Sequence, residues 1–262
     1  VIFTPTAVPA TICAGASSTI TATTNAISAG IASSIGAATT LTPAAGQPTA
    51  FNNRWPSYRM QMVYTAAELA AAGLFAGNIT SMAFDITTLG DAATNANFTV
   101  SLANTTAASF TTTSWLTGTS AVTVYPAQTY THTASGLQTI NFSTPYNWDG
   151  VSNILVDISM DGADITNNAQ TLFTTSALNM VLHSNSSGKA ATTGTLSTSR
   201  LNVRFGGQTQ TTGVGSLAYS WNDPSSTTGN VVTVNPTTTT TYTVAGYDSV
   251  TGCTGYKTTT VT

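Results

Sequence analysis

Charge is what this chain of 262 residues has least of: Asp, Glu, Lys and Arg make up 6% of it, about a quarter of the usual share. The six cations, Arg54, Arg59, Lys189, Arg200, Arg204 and Lys257, are scattered, so no basic patch can neutralise a row of phosphates and nucleic acid is not an expected partner. No run of about 18 apolar residues is present, so membrane insertion is not expected either. No Lys/Arg-led apolar leader opens the chain, and Val1 reads as a mature terminus or a cut between repeats.

Groups that do chemistry are just as scarce. Glu68 is the single Glu, and His132 and His183 are the two histidines. No Gly-x-Ser-x-Gly elbow supports a Ser-His-Asp arrangement. Glycosidase chemistry needs two opposed carboxylates, whereas the Asp residues stand mostly in turn contexts such as Asp149-Gly150, Asp161-Gly162 and Asp223-Pro224. The expectation is a protein that is not an enzyme and needs no cofactor.

What is present points to strands. Apolar residues make up 41% of the chain, enough to bury a core, and roughly one residue in five is Thr, whose branched β-carbon suits the exposed face of a strand. An all-β fold follows. Tyr58 to Tyr64 alternates cleanly, with Tyr58, Met60, Met62 and Tyr64 on one side. Thr65-Ala66-Ala67-Glu68 is a capping box that opens one short helix, which Gly73 can end in the left-handed conformation. Further strands are predicted at 79–87, 98–103, 121–125, 138–142, 154–160, 171–174, 178–183 and 201–205, separated by Gly, Asn and Pro turns. The segment 1–10 is extended by its prolines and suits an inter-module linker or an edge strand.

The opening stretch from Thr11 to Ala22 and the closing one from Tyr219 to Val261 read as two halves of one small β-sandwich. The expected domains are therefore 1–27 with 208–262, and an insert over 28–207. Two cysteines, few lysines and many Thr, Asn and Gly fit an oxidising extracellular setting, where one disulfide is stable; two unrelated buried thiols are the alternative.

Several motifs occur in order: Ile12-Cys13-Ala14-Gly15 before a Ser/Thr strand, Tyr219-x-Trp221, Val234-Asn235-Pro236 leading through Thr237–Thr241 to Tyr242-Thr243-Val244, and Gly252-Cys253-Thr254. Together they resemble the immunoglobulin-like repeats of giant secreted surface and gliding adhesins of Bacteroidota, cargo of the type IX secretion route. The middle, with Gly77–Phe84, Pro145–Gly150 and Ser199–Phe205, resembles a jelly-roll module common in the same surface proteins. The resemblance implies a split immunoglobulin-like sandwich with an inserted jelly-roll-like β-sandwich, located outside the cell. It also implies a Cys13–Cys253 disulfide, which on the chain-entropy model would add about 5 kcal/mol.

The resemblance makes Ser249, in Asp248-Ser249-Val250, a candidate for the O-glycans of that phylum. Asn78, Asn97, Asn104, Asn141 and Asn185 lie in Asn-x-Ser/Thr, which so Thr-rich a chain produces by composition. Asp161 and Asp164 form a weak Ca²⁺ candidate set against a plain Asp-Gly turn, because the twelve-residue calcium loop is absent. Arg54, Arg59, Arg200 and Arg204 have Asp85 and Asp157 as ion-pair partners within reach of sequence reasoning. The expected function is a structural or adhesive module of a surface fibre whose partners are neighbouring copies. The alternative is a carbohydrate-binding module whose aromatic residues recognise polysaccharide.

Overall fold

The computed structural model of the protein describes residues 3–162, 166–185, 188–212, 217–248 and 253–262. Its strands are β1 (Phe3–Val8), β2 (Ser18–Ile31), β3 (Thr40–Leu41), β4 (Tyr58–Tyr64), β5 (Gly77–Thr88) and β6 (Thr94–Thr105). They continue with β7 (Thr119–Thr131), β8 (Gly136–Trp148), β9 (Asn153–Asp161), β10 (Gln170–Thr175), β11 (Val181–Ser184) and β12 (Thr195–Ser197). The last six are β13 (Ser199–Leu201), β14 (Arg204–Thr212), β15 (Leu217–Trp221), β16 (Val231–Val234), β17 (Thr240–Asp248) and β18 (Thr254–Val261). Strand accounts for 57% of the structure and helix for 4%, so the fold is all-β. No helix among the described residues is long and apolar enough to cross a membrane.

The chain forms two compact units, residues 1–28 with 210–262 and residues 29–209. In the first unit β2 is flanked by β1, with Phe3 opposite Thr24, and by β16, with Val234 opposite Ser18. A second sheet places β17 between β15, with Trp221 opposite Val244, and β18, with Tyr247 opposite Thr254. Period-two alternation turns Ile20, Ala22, Val232 and Val234 of one sheet and Tyr219, Trp221, Tyr242 and Val244 of the other into a common core. The Trp221 indole donates to the Gly229 carbonyl at 2.8 Å, so its one polar atom is satisfied inside that core. Gly246 is required where it stands, because the Phe3 ring occupies the place of a side chain there.

The disulfide expectation is corrected. Cys13 and Cys253 are both exposed, and no disulfide joins them. The reason is topological: Ile12 bonds the Thr262 carbonyl, so Cys13 lies by the end of β18, whereas Cys253 immediately precedes its start. Eight strand residues separate the two ends by about 24 Å, far beyond the roughly 7 Å Cα separation that a disulfide tolerates.

In the second unit a six-stranded sheet runs β12-β11-β4-β9-β6-β7. Opposite it, β5 pairs with β8, β14 and β10, and β10 continues to β13 and β3. Tyr58, Met60, Met62 and Tyr64 of β4 all enter the core between the sheets, together with Val156 and Ile158 of β9, Phe98 and Val100 of β6, and Phe84 and Ile86 of β5. Phe51 stacks on Phe98 and Tyr130 at centroid distances of 6.0 and 5.4 Å. The reverse face of the six-stranded sheet is covered in part, where Val63, Ala103, Leu155 and Leu182 pack against Phe110 and Met180.

The helix α1 (Ala66–Ala71) starts where the capping box predicts, with the Glu68 amide donating to Thr65 Oγ1 and the Thr65 amide to Glu68 Oε2. Gly73 (φ 87°) turns the chain out of it, and the Leu74 amide reaches back to the Leu69 carbonyl at 3.0 Å.

Candidate functional site

The most distinctive arrangement in the first unit is how its two outermost segments meet. The Ile12 amide donates to the Thr262 carbonyl at 2.8 Å, and the Thr262 amide donates to the Ala10 carbonyl at 2.9 Å. One residue bonding on both sides of another in this way is the pattern of a parallel strand pair. Phe3, at the start of β1, lies against Gly246, which pairs with Gly255 at the start of β18. β1 and the segment after it therefore run alongside β18 in the same direction. The junction is held from behind by Ser18, whose hydroxyl donates to the Pro9 carbonyl at 2.7 Å, and by Gly15, whose amide donates to the Pro236 carbonyl at 2.9 Å. Asn235 adds a bond from its side-chain amide to Ser17 Oγ at 2.9 Å.

The charged groups of the second unit are mostly committed to the scaffold. Arg200, nearly buried, grips Glu68 with both terminal nitrogens, donates to the Val63 carbonyl at 3.0 Å and lies over the Tyr64 ring at 4.7 Å. Burial opposes ionisation of Glu68, but the bonds from Arg200 and Thr65 outweigh it and hold its carboxyl down to about 2. Arg59 forms a two-point pair with Asp157 at 2.6 and 3.2 Å and covers the Trp115 ring at 4.3 Å. Gln61 ties the same carboxylate to the loop above, donating to Asp157 and exchanging both amide bonds with the Leu116 backbone.

Asp161, the weak calcium candidate, uses one carboxylate oxygen on Lys189 at 2.8 Å and the other on Asn97 at 2.6 Å. Asp164 and Ser249 lie outside the described residues. No group of three or more His, Cys, Asp or Glu side chains with metal-binding placement occurs among the described residues. Asp149 and Asp223 accept amide and hydroxyl bonds within their own turns, from Val151 and Ser152 and from Ser225 and Thr227 respectively.

Both histidines are buried. Burial pushes His183 down to about 4, and it also lowers His132, partly offset by the Ala92 backbone. Both rings are therefore neutral above pH 6.5, and no ion pair joins either to a carboxylate among the described residues. Trp148 and Trp221 are core residues, while Trp55 and Trp115 are half-buried with an arginine over each ring. A free aromatic platform for sugars is thus not built from any of the four tryptophans.

Each unit carries a depression among its described residues. One, of about 560 Å³, lies in the first unit between Asn222–Ser225 and the Thr233–Tyr242 stretch, but Asn222, Asp223 and Asn235 already spend their side chains on the backbone or on neighbours. The other, of about 200 Å³, lies in the second unit beside Asp85 and Arg204. No family model, curated protein or solved structure matches this chain.

Proposed function

We propose that this chain is a load-bearing structural or adhesive module of a secreted bacterial surface fibre, built as an immunoglobulin-like sandwich carrying a jelly-roll-like insert, and that it performs no catalysis. The observation that carries the reading is the parallel junction between the segment 10–12 and Thr262. Tension applied between residues 3 and 262 pulls β1 and β18 past each other lengthwise. The two backbone bonds that flank Thr262 then share the load and fail together, instead of opening one after another.

The rest of the molecule supports this reading. Its acids and bases are largely spent on turns, caps and internal ion pairs. Its Thr-rich, weakly charged faces give little purchase for nonspecific charge-driven contacts. The partners on this reading are neighbouring copies of the module, outside the cell.

The test is single-molecule stretching of the whole chain and of an Ile12→Pro variant, which lacks the amide that bonds Thr262. The variant is expected to unfold at clearly lower force in its first unit, while its second unit gives way at the unchanged force. Equal first-unit forces in the two proteins would remove the basis of the proposal.

A further inference from the structure

Every described charged side chain of the second unit has a partner except two. Arg59, Arg200 and Lys189 pair with Asp157, Glu68 and Asp161; Arg54 donates to the Thr166 carbonyl; Asp91 accepts from Asn167, and Asp149 closes its own turn. Asp85 and Arg204 make no side-chain hydrogen bond or ion pair among the described residues, and both line the same 200 Å³ cavity. A chain with so few charges that leaves an acid and a base side by side, each without a partner, has unused recognition capacity there.

The strands dictate the placement. Arg204 of β14 pairs with Ala83 of β5, and Asp85, two residues further along β5, projects from the same face. Leu137 of β8 is directly opposite Asp85 and is 39% exposed. Leu172 of β10 adds a second apolar side chain, and Ser34 and Thr39 bring hydroxyls to the rim.

The far wall, residues 34–39, is pinned. Ile35 and Val203 exchange both backbone bonds, at 2.8 and 3.1 Å. The Ala38 amide donates to Thr174 Oγ1, and its carbonyl accepts from the nearly buried Asn202 side chain at 2.8 Å. Gly36 (φ 96°) is needed for that fit, because Asn202 occupies the space that a side chain would take. The cavity is therefore formed before any ligand arrives, which lowers the entropy cost of binding.

We infer that this cavity binds a single neutral sugar ring presenting adjacent hydroxyls. The Asp85 carboxylate accepts from two hydroxyl groups, and the Arg204 guanidinium donates to hydroxyl oxygens. Leu137 and Leu172 meet the C–H face of the ring. The lining has no net charge, which matches groups that both donate and accept, whereas a net-charged ligand would leave one of the two side chains uncompensated. The volume is below the roughly 300–1,000 Å³ of sites enclosing drug-sized molecules, which suits one ring and not an oligosaccharide.

Saturation-transfer NMR and calorimetric titration of the whole chain against methyl pyranosides of glucose, galactose, mannose and xylose test this directly, with glucuronate and glycine as charged and zwitterionic probes. At least one neutral glycoside is expected to bind. Asp85→Asn and Arg204→Gln should each weaken it by roughly ten- to hundredfold, while Lys257→Gln, in the other unit, should leave it unchanged. Thermal scans of the variants confirm that they remain folded, as surface positions should. Binding confined to glucuronate or glycine, affinity unaffected by either cavity substitution, or no neutral glycoside bound at all would each overturn the inference. None of these outcomes bears on the response to force.

Discussion

The two units solve the same packing problem with different means. The second is rich in large apolar side chains, buries one face of its six-stranded sheet and part of the other, and contains all three ion pairs seen among the described residues. The first has a thin core centred on Phe3, Ile20, Tyr219 and Trp221, with exposed rows of Thr along β17 and β18 and an interlock between its outermost segments. One is held together by burial and the other depends on backbone ladders, which is the division of labour expected when tension enters through residues 3 and 262.

Emptying each core should separate the two units most strongly. Trp221→Ala in the first unit and Phe84→Ala in the second should each cost about 3–5 kcal/mol. Hydrogen exchange should register the loss in the unit that carries the substitution. Because the thinner core has less to lose, Trp221→Ala should leave the first unit unfolded at temperatures where the second stays protected; loss of protection in both units alike would contradict the contrast.

Acid should separate the units next. Both histidines belong to the second unit. In the unfolded chain His183 takes up a proton near pH 6.5, but in the folded unit only near 4, so acid favours unfolding throughout that interval. The stability difference amounts to about 3 kcal/mol, fully present above pH 6.5 and gone by about pH 4. Glu68 acts lower, its contribution fading as the pH falls from its ordinary value toward 2. Denaturant midpoints of the second unit should therefore drop between pH 6.5 and 4 while those of the first stay level, and His183→Gln should flatten the slope.

Smaller effects sharpen the same contrast. Arg200→Met leaves Glu68 without its cation and the Val63 carbonyl without a donor, at an expected cost of about 2–3 kcal/mol read by chemical denaturation of the second unit. Thr65→Ala removes the helix cap for about 1 kcal/mol.

Local features of this kind were open to sequence reasoning. The run from Tyr58 to Tyr64 declares its buried face by alternation, and Thr65-Ala66-Ala67-Glu68 carries its own hydrogen-bond pattern within four residues. Long-range pairing leaves no such trace. Nothing near Ile12 indicates that its amide meets the Thr262 carbonyl, and nothing near Asp85 indicates that Arg204 of β14, nine strands later in the chain, comes to lie on the neighbouring strand. The cysteines show the same limit from the other side: each stands in a recognisable motif, yet β18 holds the two positions a full strand length apart. Arg59 and Arg200 found carboxylates, but Arg200 chose Glu68, whose role the capping box alone had explained.

The direction of pulling tests the load-bearing account most directly. Stretching between residues 3 and 262 loads β1 against β18 lengthwise. Stretching between residues 240 and 261 instead peels β17 from β18 one pair at a time, starting at Thr240 and Val261. The account predicts a first-unit unfolding force several times higher in the first geometry than in the second, and indistinguishable forces would contradict it.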